Sequence, residues 1–458
     1  MWPPERCNRS SVPWAMPDTQ MRIPNAAHWP VTQLGDACAL ISRGTAPVYV
    51  ERSDVMAIGQ RCVTVAGFDA GKARPHSHRA MRGVVEPACG DVLLNSTGTG
   101  TIGRSCVFRH KGQFVLDRHV TVLRPNQARL DGRWLNAILR SVWGQSHLER
   151  FCFSGSTNQV ELNRVPLATT GLPLPPVHEQ RLAAKVLDTL DTTIRQTEAI
   201  IEKLKQVKQG LLHDLLTRGI ADNGELRPPQ SEAPHLYKES ALGWIPKAWD
   251  AMPMRAACST ITKGTTPAVD QMWQGDEGIR FLRVDNLSFD GRFDFAASNF
   301  RISPDTHTHS LGRSRCYPGD VLTNIVGPPL GKLGLITSAT GEVNINQAIA
   351  LFRPSGVLLP AFVLLWLGSA LAQTWLRQRA KQTSGQVNLT LALCQELPVL
   401  RMGLEEQQRV IDRTQAMQNR LTSEDDKLTK LLALKSGLMD DLLTGRVRVT
   451  PLLQRAPA

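Results

Sequence analysis

The stretch Ser96–Ser105 has the residue types and spacing of a phosphate-binding loop. Its sequence, STGTGTIGRS, contains the spacing G-x-G-x-x-G at Gly98, Gly100 and Gly103. That spacing suits a dinucleotide, and the stretch also approaches a P-loop, in which a lysine reaches the phosphates. Here the lysine position holds Arg104, so the stretch departs from the P-loop pattern.

A related stretch, Gly327–Leu333, decides between these interpretations. Its sequence GPPLGKL is one residue shorter, has Pro328 and Pro329 in the middle, and has Leu333 where a hydroxyl belongs. Proline has no N–H to offer a phosphate. Both stretches follow a short apolar run, so they predict a strand and a glycine-rich turn rather than a nucleotide site.

Other catalytic or metal-binding patterns are weak. The segment Asn324–Pro329 lacks the aromatic residue of a methyltransferase Asn-Pro-Pro-aromatic loop, and no acidic pair followed by lysine suggests a nuclease. His76 with His78, and His307 with His309, could ligate a metal, but cysteines and carboxylates at ligand spacing are missing from their neighbourhood, so we interpret them as loop histidines. We therefore predict a non-catalytic chain without a metal or cofactor of its own.

Polar and basic turns that occur twice are the better candidates for binding. Arg43 and Thr45 flank Gly44, as Lys263 and Thr265 flank Gly264. A cation, a hydroxyl and a glycine that permits close approach suit a phosphate backbone. Four side-chain amides recur in a later turn and could bond an adenine edge or cap that turn; they are Asn158, Gln159, Gln386 and Asn388.

Two segments between these turns are rich in arginine. The first, Val48–Pro87, contains Arg61, Lys72, Arg74, Arg79 and Arg82; the second, Ala268–Tyr317, contains Arg280, Arg283, Arg292, Arg313 and Arg315. Part of this charge is solvated surface. As candidate DNA contacts we select Arg61, Lys72, Arg74, Arg283 and Arg313.

These candidates belong to two copies of one module. ISRGTAP (Ile41–Pro47) corresponds to ITKGTTP (Ile261–Pro267), GDVLLN (Gly90–Asn95) to GDVLTN (Gly319–Asn324), and KQGLLHDLLTRG (Lys208–Gly219) to KSGLMDDLLTGR (Lys435–Arg446). The arginine-rich segments differ between the copies. Matching scaffold blocks with different inserts indicate two modules of one fold that bind different targets.

Each copy ends in a long helix with a heptad seam. The predicted seam residues are Leu190, Ile194, Ile201, Leu204, Leu211 and Leu215 in the first helix, and Met417, Leu421, Leu428, Leu431, Leu438 and Leu442 in the second. A helix of about 60 Å with one such stripe needs a partner helix. If Leu204 faces Leu428 in an antiparallel pair, Lys208 lies opposite Glu424 and Lys435 opposite Thr197.

Composition limits the remaining choices. A chain of 458 residues is too long for a single hydrophobic core and is expected to form two or three domains. The net charge of +12 favours a polyanionic partner. Nine scattered cysteines without a C-x-x-C pair fit a reducing cytoplasm. Neither a signal peptide nor a membrane span is predicted, since the apolar run Val357–Ala372 contains Pro360 and Gly368.

The order of these blocks resembles the specificity subunit of type I restriction–modification enzymes. The resemblance rests on LPLPPVHEQRLAAKVLDTLDTTI (Leu172–Ile194), on the linker followed by LYKESALGWIPKAWD (Leu236–Asp250), and on the duplicated GDVL, RP and GSTNQVELN blocks. It covers nearly the whole chain, from about residue 28 to 447. It implies an α+β chain with two target recognition domains, each for one half of a split DNA site, and two long helices forming an antiparallel coiled coil.

The resemblance also implies partners and domain bounds. Double-stranded DNA, two modification subunits with S-adenosylmethionine, and two restriction subunits with ATP and Mg²⁺ would complete the assembly. The bounds would be 1–27 extension (with Met21 as an alternative start), 28–172 first recognition domain, 173–219 first long helix, 220–244 linker, 245–397 second recognition domain, 398–447 second long helix and 448–458 tail.

Two other function classes stay open at this point. One is a stand-alone nucleotide-dependent or DNA-modifying enzyme, which the broken glycine motif and the missing methyltransferase loop disfavour. The other is a coiled-coil interaction protein with incidental basic charge, which the duplicated modules with divergent inserts disfavour. A DNA reader would differ from both in losing affinity steeply as the salt concentration rises.

Overall fold

A computed structural model of the chain describes residues 24–155, 160–327, 329–383 and 386–449; for residues 381–383 and 386 the description covers the backbone. The chain divides into two compact units. Unit 1 comprises the residues up to Ala199 together with those from Asp426, and unit 2 comprises Ile200–Asp425. Each unit is described by itself.

Unit 1 combines short strands with helices. Its strands are β1 (Val31–Gln33), β2 (Cys38–Arg43), β3 (Val55–Ile58), β4 (Val63–Thr64), β5 (Gly67–Phe68), β6 (Arg74–Pro75), β7 (Val92–Asn95), β8 (Ser105–Val107), β9 (Gln113–Leu116), β10 (Val120–Pro125), β11 (Phe153–Ser154), β12 (Glu161–Leu162) and β13 (Gly171–Pro173). Its helices are α1 (Leu34–Ala37), α2 (Gly132–Arg140), α3 (Val142–His147), α4 (Arg164–Ala168) and the first part of α5 (Val177–Thr217).

A four-stranded antiparallel sheet in the order β2-β10-β7-β8 is the middle layer of unit 1. Successive residues of a strand point to opposite faces of a sheet. Val92 and Leu94 therefore join the core under helix α2, while Leu93 joins a second core beneath the insert. The run VLLN is buried at every position, because both faces of the sheet are covered.

Unit 2 has the corresponding elements. Its strands are β14 (Tyr237–Ser240), β15 (Gly243–Pro246), β16 (Asp250–Pro253), β17 (Cys258–Lys263), β18 (Met272–Gln274), β19 (Ile279–Leu282), β20 (Phe300–Ile302), β21 (Arg315–Cys316), β22 (Val321–Asn324), β23 (Leu333–Leu335), β24 (Val343–Ile345), β25 (Ile349–Pro354), β26 (Lys381–Thr383), β27 (Gln386–Asn388) and β28 (Pro398–Arg401). Its helices are α6 (Met254–Ala257), α7 (Pro360–Gly368), α8 (Ala370–Arg379), α9 (Leu391–Glu396) and the first part of α10 (Leu404–Thr444).

The sheet order of unit 2 repeats that of unit 1. Strands β17-β25-β22-β23 take the places of β2-β10-β7-β8, with the same antiparallel pairings. The inserts differ: β3 pairs with β6 and β9 in unit 1, whereas β18, β20, β19, β24 and β21 form a five-stranded sheet in unit 2. The mixed helix and strand content predicted from the sequence is confirmed.

The long helices α5 and α10 each have 41 residues and contribute to both units. In unit 1, Lys435 of α10 forms an ion pair with Asp191 of α5. In unit 2, Lys208 Nζ of α5 donates to Gln418 Oε1 of α10 at 2.6 Å. In unit 1, Glu179 of α5 also pairs with Arg448, just beyond α10, and in unit 2, Glu406 of α10 accepts the Ile220 N–H, just beyond α5. Within each unit, residue numbers therefore rise on one helix as they fall on the other, so the two helix segments run antiparallel.

The predicted register of this pairing is wrong. Lys208 contacts Gln418 rather than Glu424, and Lys435 contacts Asp191 rather than Thr197. The partner of each lysine is six residues from the predicted one, which is about 9 Å along a helix. A heptad stripe tolerates several registers, and placing Leu204 opposite Leu428 selected the wrong one.

The predicted seam residues are nevertheless buried or half-buried. Buried members are Ile194, Ile201, Leu204, Leu215, Leu421 and Leu442, and half-buried members are Leu190, Leu211, Met417, Leu428, Leu431 and Leu438. Thr197, which fills the seam position between Ile194 and Ile201, is 1% exposed.

A glutamine at the start of each long helix fixes that helix to the mixed α/β module before it. Gln180 Oε1 accepts the Asp131 N–H at 2.9 Å, and its Nε2 donates to the carbonyls of Arg129 and Pro175. Gln407 repeats this with the Leu359 N–H at 2.8 Å and the carbonyls of Val357 and Met402. Both glutamines are fully buried, and these hydrogen bonds satisfy the donor and acceptor groups of their side-chain amides.

No helix within the described ranges is long and apolar enough to cross a bilayer.

Candidate nucleic-acid interface

The glycine-rich stretch Ser96–Ser105 forms a hairpin turn between β7 and β8. A P-loop and a dinucleotide loop both lead into a helix whose N-terminus binds the phosphates. Here the glycines lead into a strand that pairs antiparallel with β7. Asn95 Nδ2 donates to the Thr101 carbonyl at 3.2 Å, and Arg104 Nη2 folds back on the Gly100 carbonyl at 2.7 Å. The loop is therefore closed by its own side chains.

Unit 2 closes its shorter turn in the same way. Asn324, which corresponds to Asn95, donates to the Pro329 carbonyl at 2.9 Å. Its Oδ1 accepts the N–H groups of Gly331 and Lys332 at 3.0 and 2.9 Å. The duplicated asparagine of GDVLLN and GDVLTN thus holds the turn, which explains a repeat that the sequence left without a role.

Four polar segments meet in unit 1 where β2 and β7 end and β10 begins; we call this the polar edge of unit 1. Thr45, after β2, pairs with Asp117, before β10. Thr97, after β7, pairs with Glu161 of β12, and its hydroxyl lies 2.6 Å from His119 Nδ1. Together with the ion pair of Arg43 with Glu161, these contacts gather segments that are up to 118 residues apart in the chain.

The polar edge of unit 2 is built from the corresponding segments. Thr266, after β17, is hydrogen-bonded to Gln347, before β25. Val326, after β22, pairs with Asn388 of β27, and the Gly327 N–H donates to the Val387 carbonyl at 3.1 Å. The two modules thus present equivalent edges made of different side chains.

Arg43 and Thr45, two predicted phosphate contacts, lie on the polar edge of unit 1. Thr45 is exposed. Arg43 is half-buried, since its Nη1 pairs with Glu161 at 3.0 Å and its Nε donates to the Arg118 carbonyl at 2.6 Å. A phosphate would have to compete with Glu161 for this guanidinium.

Gly44 serves the packing of the chain itself. A Cβ on Gly44 would collide with the carbonyls of Leu116 and Asp117, and one on Gly264 would collide with those of Ile345 and Asn346. The close approach that glycine permits is therefore taken by the neighbouring strand connection. Lys263 and Thr265, on either side of Gly264, are both exposed on the polar edge of unit 2.

The predicted amides are only partly visible. Asn158 and Gln159 lie outside the described residues. Gln386 and Asn388 belong to β27, where the backbone of Gln386 pairs with that of Thr383 and Asn388 pairs with Val326. Asn388 is half-buried on the polar edge of unit 2.

The arginine-rich insert of unit 1 brings one predicted residue to its polar edge. The Arg74 guanidinium lies 3.7 Å from the centroid of the Tyr49 ring, and Tyr49 Oη donates to Asp117 Oδ2 at 3.0 Å. Lys72 is paired with Asp69 at 3.0 Å on the surface. Arg61 is exposed beside Gln60, whose carbonyl accepts from Asn95 at 3.0 Å.

The insert of unit 2 stacks its arginines on aromatic rings. Arg283 lies 5.1 Å from the Phe300 ring and Arg280 lies 3.8 Å from Phe295. Burial, and then the nearby charge of Arg301, lower the pKa of Arg280. Arg313 is exposed in a single turn before β21. Within the described part of the chain, no contact of Arg283 or Arg313 reaches the polar edge.

Sequence reasoning missed the residues that organise the polar edge of unit 1: Tyr49, Asp117, His119 and Glu161. Asp117 is 7% exposed and accepts both the Tyr49 hydroxyl and the His119 N–H. Burial, followed by the Asp117 charge, raises the pKa of Tyr49. The one available signal was LDRHV before β10, where the second copy has INQAI with an amide in place of the carboxylate.

Of the histidines considered as metal ligands, His76 has both ring nitrogens engaged by the backbone. Its Nδ1 lies 3.1 Å from the Val48 nitrogen and its Nε2 lies 3.1 Å from the Ala80 carbonyl. His78 contacts Asp54, and that hydrogen bond lowers the pKa of the Asp54 carboxyl. His307 contacts Asn344 of β24, and His309 Nδ1 lies 3.0 Å from Asp305 Oδ1. These contacts give the four histidines local structural roles.

Comparison with known proteins finds a match to a family model over part of the chain. Residues 87–206 match the type I restriction modification DNA specificity domain. The chain is 22% identical over 366 residues to the putative type I restriction enzyme MjaX specificity subunit of Methanocaldococcus jannaschii, covering 79% of each chain. It is 25% identical over 303 residues to the EcoBI specificity subunit of Escherichia coli, covering 64% of this chain and 61% of that one.

Solved structures share the fold. The type I restriction–modification S subunit from M. genitalium aligns with a TM-score of 0.55 at 14% identity, covering 94% of this chain and 98% of that chain. A chain from a structural study of complex assembly in the type I R-M system aligns with a TM-score of 0.55 at 16% identity, covering 92% and 98%.

Proposed function

Because the chain belongs to the type I restriction–modification specificity subunits, we propose that units 1 and 2 each read one half of a split DNA site. The chain is the DNA-recognition subunit of such a system, and it is not itself the catalyst. Its place is in a complex with the other subunits of the system. The division of labour between its two units is the part that we propose.

The duplicated polar edge carries this proposal. Both units place exposed polar side chains at the same end of an equivalent four-stranded sheet, on loops held by a rigid scaffold. The scaffolds match, while the side chains and inserts differ, as expected for two readers of different base patterns. The net charge of +12 favours the DNA backbone as their common partner.

In the proposed architecture, α5 and α10 form an antiparallel coiled coil that sets the distance between the half-sites. One contact between the helices within each unit, Lys208 with Gln418 in unit 2 and Lys435 with Asp191 in unit 1, supports this pairing. The recognition domains would comprise residues 28–172 and 245–397. Phosphate contacts would come from the polar edges and base contacts from the inserts.

The partner assignments are likewise proposals. Two modification subunits would bind S-adenosylmethionine and methylate adenine within the recognised site, and two restriction subunits would use ATP and Mg²⁺. These subunits and this chain would act together on DNA in the cytoplasm. The pseudo-repeat of the chain supports two copies of each partner, since equivalent surfaces occur twice.

The test is to map methylated adenines by single-molecule sequencing, with and without this gene, in cells that express its modification subunit. We expect a split motif with a fixed gap that disappears on deletion of the gene. An unsplit motif, or methylation that persists after deletion while the modification subunit is expressed and bound, would contradict the proposal. Binding of the purified complex should also weaken steeply with salt, with a slope that reports the phosphate contacts.

A further inference from the structure

In unit 1, a series of side-chain contacts runs from Asp117 through Tyr49 to the exposed guanidinium of Arg74. Asp117 is 7% exposed and lies at the connection between β9 and β10. Its Oδ2 accepts the Tyr49 hydroxyl at 3.0 Å, and its Oδ1 accepts the His119 N–H at 3.2 Å. The Tyr49 ring in turn carries the Arg74 guanidinium at 3.7 Å from its centroid.

The backbones beneath this stack are also fixed. Tyr49 pairs with His76, and the Val48 N–H donates to His76 Nδ1 at 3.1 Å. Arg74 belongs to β6 and pairs with Ala57 of β3. Ring and guanidinium therefore stand on two backbone segments that are bonded to each other, which limits the freedom of the stack before any ligand arrives.

Arg74 has no competing carboxylate, unlike Arg43 and Lys72, the other predicted cations of this module whose partners are described. Arg43 is paired with Glu161 and Lys72 with Asp69. For Arg74, no ion pair forms among the described residues, and both Arg74 and Tyr49 are exposed, Tyr49 by 39%. An arginine whose plane lies against a ring keeps its N–H edge available, and that planar fork matches a two-acceptor edge.

We propose that Arg74, held on Tyr49 by Asp117, reads a guanine in the major groove of the first half-site. The O6 and N7 acceptors of guanine match the two parallel N–H groups of the guanidinium. This inference rests on the proposed function of unit 1. It is confined to that half-site, because the positions of Tyr49 and Asp117 are held by Val269 and Asn346 in unit 2.

The test compares the methylated motif of the wild-type chain with those of three variants in the intact complex. Arg74→Lys keeps the charge and removes the fork, and Tyr49→Phe keeps the ring and removes the bond to Asp117. Arg52→Lys is the matched control, since Arg52 is an exposed arginine of the same module without an assigned role. For Arg74→Lys we expect discrimination at one G·C position of the first half-site to fall roughly tenfold to hundredfold.

The second half-site should stay unchanged in all three variants, Tyr49→Phe should relax the same position to a smaller extent, and Arg52→Lys should reproduce the wild-type motif. A motif that Arg74→Lys leaves intact would overturn the inference. So would a uniform loss of methylation at every site with a lower salt slope, because that result identifies a phosphate contact. A wild-type chain that yields no split motif would instead refute the proposed function, and thermal melting of each variant shows that it folds.

Discussion

Two buried aspartates at equivalent positions hold the same turn in each unit. Asp91 Oδ2 accepts the Ala88 N–H at 2.7 Å and Arg124 Nη2 at 2.8 Å. Asp320 Oδ2 accepts the Tyr317 N–H and Arg353 Nη2, both at 2.7 Å. Hydrogen bonding to these carboxylates raises the pKa of both arginines. The GDVL and RP blocks thus share an ion pair, which connects the start of β7 to β10 in unit 1 and the start of β22 to β25 in unit 2.

Removing either aspartate should destabilise its own unit. Asp91→Ala or Asp320→Ala leaves an arginine without its partner and a backbone N–H unsatisfied, and we expect a loss of about 3 kcal/mol in the free energy of unfolding. Denaturant unfolding measures it. Asp250→Ala is the control, because Asp250 forms an exposed ion pair with Lys238, and solvent screening makes such surface pairs weak. Equal losses in all three variants would contradict the structural role.

Alanine substitution of two glycines near the end of α5 should change the stability of the protein in opposite directions. Gly219 has φ +68°, and a Cβ there would meet the side chains of Trp249, Glu406 and Arg227. Gly219→Ala combines backbone strain with overpacking and should cost about 3 kcal/mol. Gly210 lies inside the helix with nothing within 4 Å of an added Cβ, so Gly210→Ala should stabilise by about 1 kcal/mol. Thermal melting that shifts both variants in one direction would contradict this assignment.

At the scale of elements, the long helices are where sequence and structure agree and disagree most clearly. The heptad spacing predicts both helices, since an apolar stripe of that period needs a lengthwise partner. It does not determine the register, because sliding one stripe along another preserves most apolar contacts. The joints at Gln180 and Gln407 tie each helix to its own module, and such tertiary contacts lie outside any helical pattern.

A double-mutant cycle distinguishes the observed register from the predicted one. The half-buried Lys208 donates to Gln418 of α10, and its burial lowers the pKa of its ammonium. The cycle of Lys208→Met with Gln418→Met should give a coupling of about 1 kcal/mol, typical of one hydrogen bond. The cycle of Lys208→Met with Glu424→Gln should give less than about 0.5 kcal/mol, as for residues out of contact. The reverse ranking would restore the predicted register.

At the scale of the whole molecule, the duplication could be predicted and the polar edges could not. Matching blocks such as ISRGTAP and ITKGTTP identify the two modules without any structure. The edges depend on contacts such as Thr97 with Glu161 and Arg43 with Arg118, between segments far apart in the chain. Side chains with no local pattern, among them Tyr49 and Asp117, become visible only when the sheet brings those segments together.

Exchanging one insert should change one half-site. The insert Val48–Pro87 meets the rest of unit 1 through the parallel pairing of β3 with β9 and through cores that contain only residues of that unit. Replacing it with the corresponding segment of a type I specificity subunit should therefore alter the first half-site and leave the second half-site and the gap unchanged. Replacing Ala268–Tyr317 should do the reverse, and mapping methylated adenines reads both results. A single exchange that altered both half-sites, or the gap, would show that the units do not read DNA independently.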